Sequence, residues 1–175
     1  KLKKTIIFVS HDLDEALKLG SHIAIMKDGE IVQHGKPESI VLNPANDYVR
    51  DFVAHTNPLN VLRAGSIMRE LTDMSQQERG YCLSKRHDYW LSLDGNQVQV
   101  KDQVYAVQCW QSGDDISALQ QIPTRVGPRT AMHDVMEIRY HTGHSVLVGD
   151  DQAVQGVVGD RELYHTLLGK MMSDD

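Results

Sequence analysis

The chain has 175 residues, of which 41% are hydrophobic and 24% are charged, as is ordinary for a soluble globular protein. Its formal net charge of −6 argues against nucleic-acid binding, because neutralising phosphates requires a basic face. No apolar run approaches the roughly 20 residues that span a bilayer, and two cysteines without a secretion signal predict reduced, mostly buried thiols.

The N-terminal segment has the pattern of a strand followed by a helix. Thr5–Ser10 is a continuous apolar and β-branched run, which predicts a strand buried on both faces of a parallel sheet. Asp12 stands three residues before Glu15, a spacing typical of a helix start, and Gly20 is expected to end that helix in a left-handed conformation. The chain enters this strand without an initiator Met, so we expect a fragment of a longer protein.

A hairpin and two short helices are predicted next. The dipeptide Asp28-Gly29 separates two alternating runs, and both of its residues tolerate the positive φ of a tight hairpin turn. Pro37 suits the first turn of a helix that extends to Leu42. Asp47 is expected to cap a further helix.

The order strand, turn, strand, helix then occurs twice at a spacing of about fifty residues, a sign of two similar units. In the first copy, strands over 89–93 and 104–110 precede a helix that Asp114 is expected to cap. In the second copy, a helix over 131–138 leads into strands over 145–148 and 154–158 and a final helix capped by Asp160.

Two blocks at the start of the chain resemble the end of an ABC-type nucleotide-binding domain. The first is Thr5–Leu17, which contains His11-Asp12, and the second is His22–Gln33, which contains Lys27-Asp-Gly-Glu-Ile-Val-Gln. The sequence of these blocks is similar to that of the ATP-binding subunits of glycine betaine, proline and choline importers, which also carry CBS motifs. The resemblance implies that His11 is the switch histidine, which contacts the γ-phosphate or the attacking water.

The resemblance implies an ATPase parent that uses ATP and Mg²⁺ to drive osmoprotectant uptake. Such a subunit would lie on the cytoplasmic face of the inner membrane, with a permease and a second ATP-binding subunit as partners. The 175 residues contain no Gly-x-x-x-x-Gly-Lys-Ser/Thr phosphate loop and no Ser-Gly-Gly signature. We therefore expect this fragment to be inactive as an ATPase on its own.

The segment Gly149–Leu163 resembles the second half of a CBS motif, whose last strand and helix commonly hold an adenine nucleotide. The candidate nucleotide contacts are Gly156, Gly159, Asp160 and Glu162. Gly159 stands where the family has a hydroxyl and Glu162 where it has an Asp, so the two groups that hold the ribose are both changed.

The sequence therefore predicts an α+β chain in three parts: the tail of an ABC ATPase domain (1–56), a degenerate CBS motif (57–122) and a second CBS motif (123–175). The CBS pair is expected to adjust transport to osmotic or ionic conditions. Two alternatives stay open, an adenine-nucleotide sensor and a purely structural dimerisation module. A homodimer through the CBS helices, the N-terminal strand or both is expected. No metal site is predicted, because His141-x-x-His144 lacks thiolate partners.

Overall fold

The structure is a computed structural model that describes residues 4–168 as a mixed α+β chain in two compact units, divided between Val61 and Leu62. The first unit contains α1 (Leu13–Leu19), β1 (Ile23–Lys27), β2 (Glu30–Gly35), α2 (Pro37–Leu42) and α3 (Asp47–Val53). The second unit contains α4 (Ala64–Ile67), β3 (Arg69–Glu70), β4 (Gln76–Gln77), β5 (Gly80–Ser84), β6 (Tyr89–Leu91), β7 (Gln97–Val100), β8 (Gln103–Ala106), β9 (Gln108–Cys109), β10 (Thr124–Val126), α5 (Met132–Thr142), β11 (Val146–Gly149), β12 (Val154–Val158) and α6 (Asp160–Leu167).

The elements of the first unit follow from local interactions. The Asp12 carboxylate accepts a hydrogen bond from the Glu15 backbone N–H at 3.0 Å and begins α1 as predicted. Strands β1 and β2 form the predicted hairpin, with φ of 52° at Asp28 and 84° at Gly29. Helix α2 has the predicted bounds, whereas α3 is capped by Asn46, one residue before the predicted cap.

Alternate side chains of β1 and the side chains on one face of each helix pack together into a small core in this unit. Its buried members are apolar side chains from all three helices, from β1 and from the segment that follows α3: Leu17, Ile23, Ile25, Ile40, Val49, Val53 and Val61. Each such side chain contributes about 1.5–3 kcal/mol when it leaves water. The hairpin and helices are therefore held by side chains that they share, since none of these short elements is stable alone.

The predicted strand over Thr5–Ser10 is wrong for this chain. Residues 4–10 form no helix or strand, and Ile6, Ile7 and Val9 are 84%, 88% and 90% exposed. A strand requires a neighbour to pair its backbone groups, and no strand among the described residues lies beside this segment. Gly20 also differs from expectation, since it ends α1 with an extended backbone (φ −82°, ψ 130°) and not a left-handed one.

The second unit is built from two five-stranded sheets. One is an antiparallel meander in the order β4-β5-β6-β7-β8. The other has the order β3-β12-β11-β10-β9, in which β9, β10 and β11 are parallel and the pairs β11–β12 and β12–β3 are antiparallel. Helices α4 and α6 contact β12, and α5 contacts β10 and β11.

Strand β11 lies at the centre of this unit and is buried on both faces. Leu147 belongs to a cluster with side chains of the meander, including Leu83, Leu91 and Val98. Val146 and Val148 point to the opposite face of the strand, the one against which α5 packs. The continuous apolar run at 146–148 is thus explained by a strand with a sheet on one side and a helix on the other.

The helix predicted after Asp114 is also wrong. Only a short 3-10 turn, Ile116–Ala118, is present, and Asp115 caps it by accepting from the Ser117 N–H at 2.9 Å. Side chains satisfy the backbone here, because the Asp114 carboxylate accepts from the Gln111 N–H at 2.9 Å. The first strand–turn–strand–helix copy therefore lacks its helix, while the second copy contains every predicted helix and strand. The cap of α6 differs from the prediction, since it is Gly159 and not Asp160.

Candidate functional site

His11 lies at the junction between the irregular segment 4–10 and helix α1. Its side chain is exposed, and the turn is fixed by its neighbours. The Ser10 hydroxyl donates to Glu15 Oε2 at 3.0 Å and accepts from the Asp12 N–H at 3.0 Å. This network orients the backbone at His11 immediately before the first turn of α1, so the imidazole projects from a defined loop.

The four candidate nucleotide contacts of the second unit are brought together around the end of β12. Gly156 lies in that strand against β3, where an added Cβ would stand 2.6 Å from the Arg69 carbonyl oxygen and 2.8 Å from Met68 Sδ. Only a glycine permits this close pairing of the two strands. The glycine at this position has a packing role that does not depend on a ligand.

Glu162 is buried and its carboxylate is committed to the fold. One oxygen, Oε2, accepts a hydrogen bond from the Gly159 N–H at 2.9 Å, which satisfies the start of α6. The other, Oε1, lies 3.4 Å from Nε of Arg69, whose Nη2 donates to the Leu83 carbonyl at 2.8 Å. Asp160 is mostly exposed and pairs with Arg139 at 3.0 Å. Of the four residues, Asp160 alone presents a charged group to solvent.

Two of the cavities among the described residues of the second unit are not lined by Gly156, Gly159, Asp160 or Glu162. One, of about 550 Å³, lies beside β3 and β4 and combines apolar side chains such as Met68 and Leu71 with Glu70. The other, of about 340 Å³, is lined by residues 109–112, 125–130 and 149–151. These three segments are the carboxyl ends of the parallel strands β9, β10 and β11 with the loops that follow, the usual ligand position in sheets with parallel strands.

The smaller cavity and the start of α6 lie at opposite ends of the sheet. In the β11–β12 register Val146 is opposite Val158, at the α6 end, and Gly149 is opposite Val154, at the cavity end. This cavity was not predicted from the sequence. The three short strands became recognisable as parallel neighbours only in the sheet.

The predicted thiols and histidines are placed as follows. Both cysteines are free, but only Cys82 is buried, whereas Cys109 is exposed at the smaller cavity, contrary to expectation. His141 Nε2 lies 2.9 Å from the Leu119 carbonyl oxygen, and His144 Nδ1 lies 3.2 Å from the Tyr89 hydroxyl. Within residues 4–168 no group of three or more His, Cys, Asp or Glu side chains could hold a metal ion.

Burial dominates the electrostatics around His144. It lowers the pKa of the imidazole, and the nearby Arg139 guanidinium lowers this pKa further. Burial also raises the pKa of the Tyr89 hydroxyl well above its ordinary value. Both groups therefore remain neutral near pH 7, and the ring of Tyr105 packs edge-on against His144 with centroids 5.0 Å apart.

Comparison with curated proteins shows that this chain is similar to transport ATP-binding proteins. It is 30% identical over 192 aligned residues to ProV, a glycine betaine/proline betaine transport ATP-binding protein of Escherichia coli, covering 95% of this chain and 45% of the relative. Its homologues are ATP-binding subunits of glycine betaine and carnitine ABC transporters. The chain matches a C-terminal fragment of this type of subunit.

Other glycine betaine and carnitine transport subunits match over shorter segments at higher identity. GbuA of Listeria monocytogenes is 53% identical over 68 residues, 39% of this chain and 17% of the relative. OpuAA of Bacillus subtilis is 58% identical over 66 residues, 38% of this chain and 16% of the relative. The chain thus spans less than half the length of each of these relatives.

No protein-family model and no solved structure matches the chain. Within residues 4–168, no helix combines the length and the apolar character needed to cross a bilayer.

Proposed function

We propose that this chain is part of the ATP-binding subunit of an importer for glycine betaine, proline, carnitine or choline-type osmoprotectants. The observation that carries the proposal is the match to ProV along 95% of the chain, together with the higher identity to GbuA and OpuAA. The parent subunit would hydrolyse ATP with Mg²⁺, work as a pair, and act on the cytoplasmic face of the membrane through a permease.

His11 is proposed as the switch histidine of that ATPase. Its support is its position in an ordered, exposed loop directly before α1, where an imidazole can reach a phosphate or a water. In the full-length subunit, His11→Ala is expected to abolish most ATP turnover while ATP binding remains. His34→Ala is the matched control, because His34 is also an exposed histidine of the first unit. Equal turnover in the two variants would remove His11 from this role.

Residues 57–175 are proposed to form a regulatory module of two CBS motifs, 57–122 and 123–175. The support is the order β10, α5, β11, β12, α6 in the second half. An exposed charged surface can report ionic strength, because the Debye length falls from about 10 Å at 0.1 M salt to about 3 Å at 1 M. Deleting 57–175 from the full-length subunit should leave uptake active but insensitive to internal salt. Unaltered salt dependence in reconstituted vesicles would contradict regulation and favour a purely structural role.

The adenine-nucleotide alternative is centred on Gly156, Gly159, Asp160 and Glu162. The geometry favours it less, because the Glu162 carboxylate is engaged with Gly159 and Arg69. Calorimetric titration of this chain with AMP and ATP tests it directly. Binding that Asp160→Ala abolishes and that the salt concentration does not explain would favour the nucleotide sensor.

A homodimer is proposed through the CBS helices, the N-terminal segment or both. Tyr140 on α5 and Tyr164 on α6 are 91% and 63% exposed, and the apolar residues of 6–9 are exposed as well. Light scattering at several concentrations should give a mass of twice 19.7 kDa. Deleting residues 1–10 and, separately, replacing both tyrosines by serine should identify which surface holds the dimer. A monomer at every concentration contradicts the proposal.

A further inference from the structure

The cavity of about 340 Å³ at the carboxyl ends of β9, β10 and β11 has a lining with two charged sides. Arg125 and Arg129 come from β10 and the loop after it, and Asp150 and Asp151 come from the turn after β11. Because the strands are parallel and adjacent, both loops meet at this one edge of the sheet. The positive and negative groups therefore face one space from neighbouring strands.

Hydrogen bonds within the protein hold one charged residue of each side, Arg125 and Asp150. Arg125 is half-buried, and its Nη2 donates to Cys109 Sγ at 3.3 Å. Asp150 is exposed; its Oδ1 accepts from the Gln152 and Ala153 N–H groups at 3.0 Å each, and its Oδ2 accepts from Gln155 Nε2 at 3.3 Å. The two backbone bonds hold the pKa of the Asp150 carboxyl below its ordinary value, with a smaller effect of Arg125, so both side chains are oriented by the protein without a ligand.

The other charged residues of the lining, Arg129 and Asp151, are exposed. Within the described part of the chain, neither arginine of the cavity forms an ion pair with a carboxylate within 4.0 Å. A guanidinium is a strong partner for a ligand carboxylate because it presents several N–H donors in a plane. The opposite side offers carboxylates to a cationic group.

We propose that this cavity binds a small zwitterion, with its carboxylate on Arg125 and Arg129 and its cationic group facing Asp150 and Asp151. The lining carries two positive and two negative groups, so a zwitterion leaves the charge balanced, whereas a simple anion or cation adds a net charge. The volume lies at the small end of ligand pockets, which run from about 300 to 1,000 Å³. The ligand class is therefore a compact amino-acid-like or betaine-like solute.

The proposed binding of a zwitterion rests on the cavity alone, whereas its regulatory role rests on the proposed function. If the parent imports betaine-type solutes, this cavity gives the subunit a direct measure of the solute that has accumulated inside the cell. Occupancy would then adjust transport through the second unit. The binding experiment uses this chain alone and the transport experiment uses the full-length subunit, so failure of one is distinguishable from failure of the other.

The test is a nuclear magnetic resonance titration of the ¹⁵N-labelled chain with glycine betaine, at constant salt. Trp110 lines the cavity and Trp90 does not. The indole N–H signal of Trp110 therefore reports on the site, and that of Trp90 is an internal reference. We expect saturable shifts at Trp110 and at residues 125–130 and 149–151, with the Trp90 signal unchanged. Choline, which has no carboxylate, and acetate, which has no cation, should give no saturable shift there.

Three variants complete the test. Arg129→Gln and Asp151→Asn remove one exposed charge from each side, and each should weaken glycine betaine binding about tenfold or more. Arg86→Gln removes an exposed arginine outside the cavity and should change nothing. Shifts that stay linear and spread evenly over the chain would overturn the proposal, as would equal binding of acetate with no effect of Asp151→Asn.

Discussion

Replacing Glu162 by alanine is the sharpest test of how the second unit is held together. The side chain is 3% exposed, and it carries the acceptor for the first turn of α6 and the partner of Arg69. Alanine removes both at once and leaves the Gly159 N–H without its acceptor. Nε of Arg69 makes no hydrogen bond among residues 4–168, and alanine removes the only carboxylate within 4.0 Å of it.

The expected cost follows from these two losses. A missing helix-start acceptor costs about 1 kcal/mol. Breaking a fully buried ion pair costs about 3–5 kcal/mol, but the Arg69 side chain keeps 23% exposure and its bond to Leu83, so we take about 2–3 kcal/mol here. Glu162→Ala should therefore lower the free energy of unfolding by about 3–4 kcal/mol, a large part of the roughly 5–15 kcal/mol typical of a domain. Asp160→Asn is the control, because its ion pair is exposed and is expected to contribute less than about 1 kcal/mol.

Urea unfolding followed by tryptophan fluorescence measures this difference. Trp90 and Trp110 are the only tryptophans, and both belong to the second unit, so the signal reports that unit alone. The denaturant slope should be the same in all variants. A double-mutant cycle with Arg69→Met should give a coupling of at least about 1 kcal/mol. Equal stability of Glu162→Ala and Asp160→Asn, or full additivity in the cycle, would refute the reasoning.

Three further predictions concern stability. Gly156→Ala should cost about 1–3 kcal/mol because its Cβ meets the backbone of β3, whereas Gly127→Ala, which has open space, should be near neutral in the same urea assay. The pKa of His144 is lower in the folded than in the unfolded chain, so the unfolded chain takes up a proton first as the pH falls. The free energy of unfolding should therefore be constant above the ordinary histidine pKa of about 6.5 and should decline below it. The decline should be smaller in His144→Asn. Gly29→Ala places alanine in a left-handed backbone conformation and should destabilise the hairpin by about 1–2 kcal/mol. Hydrogen exchange of the first unit measures this difference. Gly35 has no positive φ, so Gly35→Ala is the control and should leave the exchange unchanged.

The sequence predicted best those elements that depend on a few neighbouring residues. The cap at Asp12, the turn at Asp28-Gly29 and the helix begun by Pro37 all formed where expected. Each depends on backbone angles or hydrogen bonds between residues within about four positions of one another, so the identity of those residues is enough to predict it. The resemblance to an osmoprotectant transport ATP-binding subunit was likewise confirmed by the named relatives.

Tertiary structure decided whatever requires a partner that is distant in sequence. The apolar run at 5–10 has strand composition but no strand beside it, so its backbone stays unpaired. Glu162 has the position of a ligand contact in the sequence, yet Arg69, more than ninety residues earlier, takes its carboxylate into the fold. The smaller cavity exists only because three short strands, ending near residues 109, 126 and 149, lie parallel and adjacent. Helix and turn propensities depend on neighbouring residues in the sequence, whereas strand pairing and side-chain burial depend on which segments meet in space. The smaller cavity could therefore be recognised only once the order of the strands in the sheet was known.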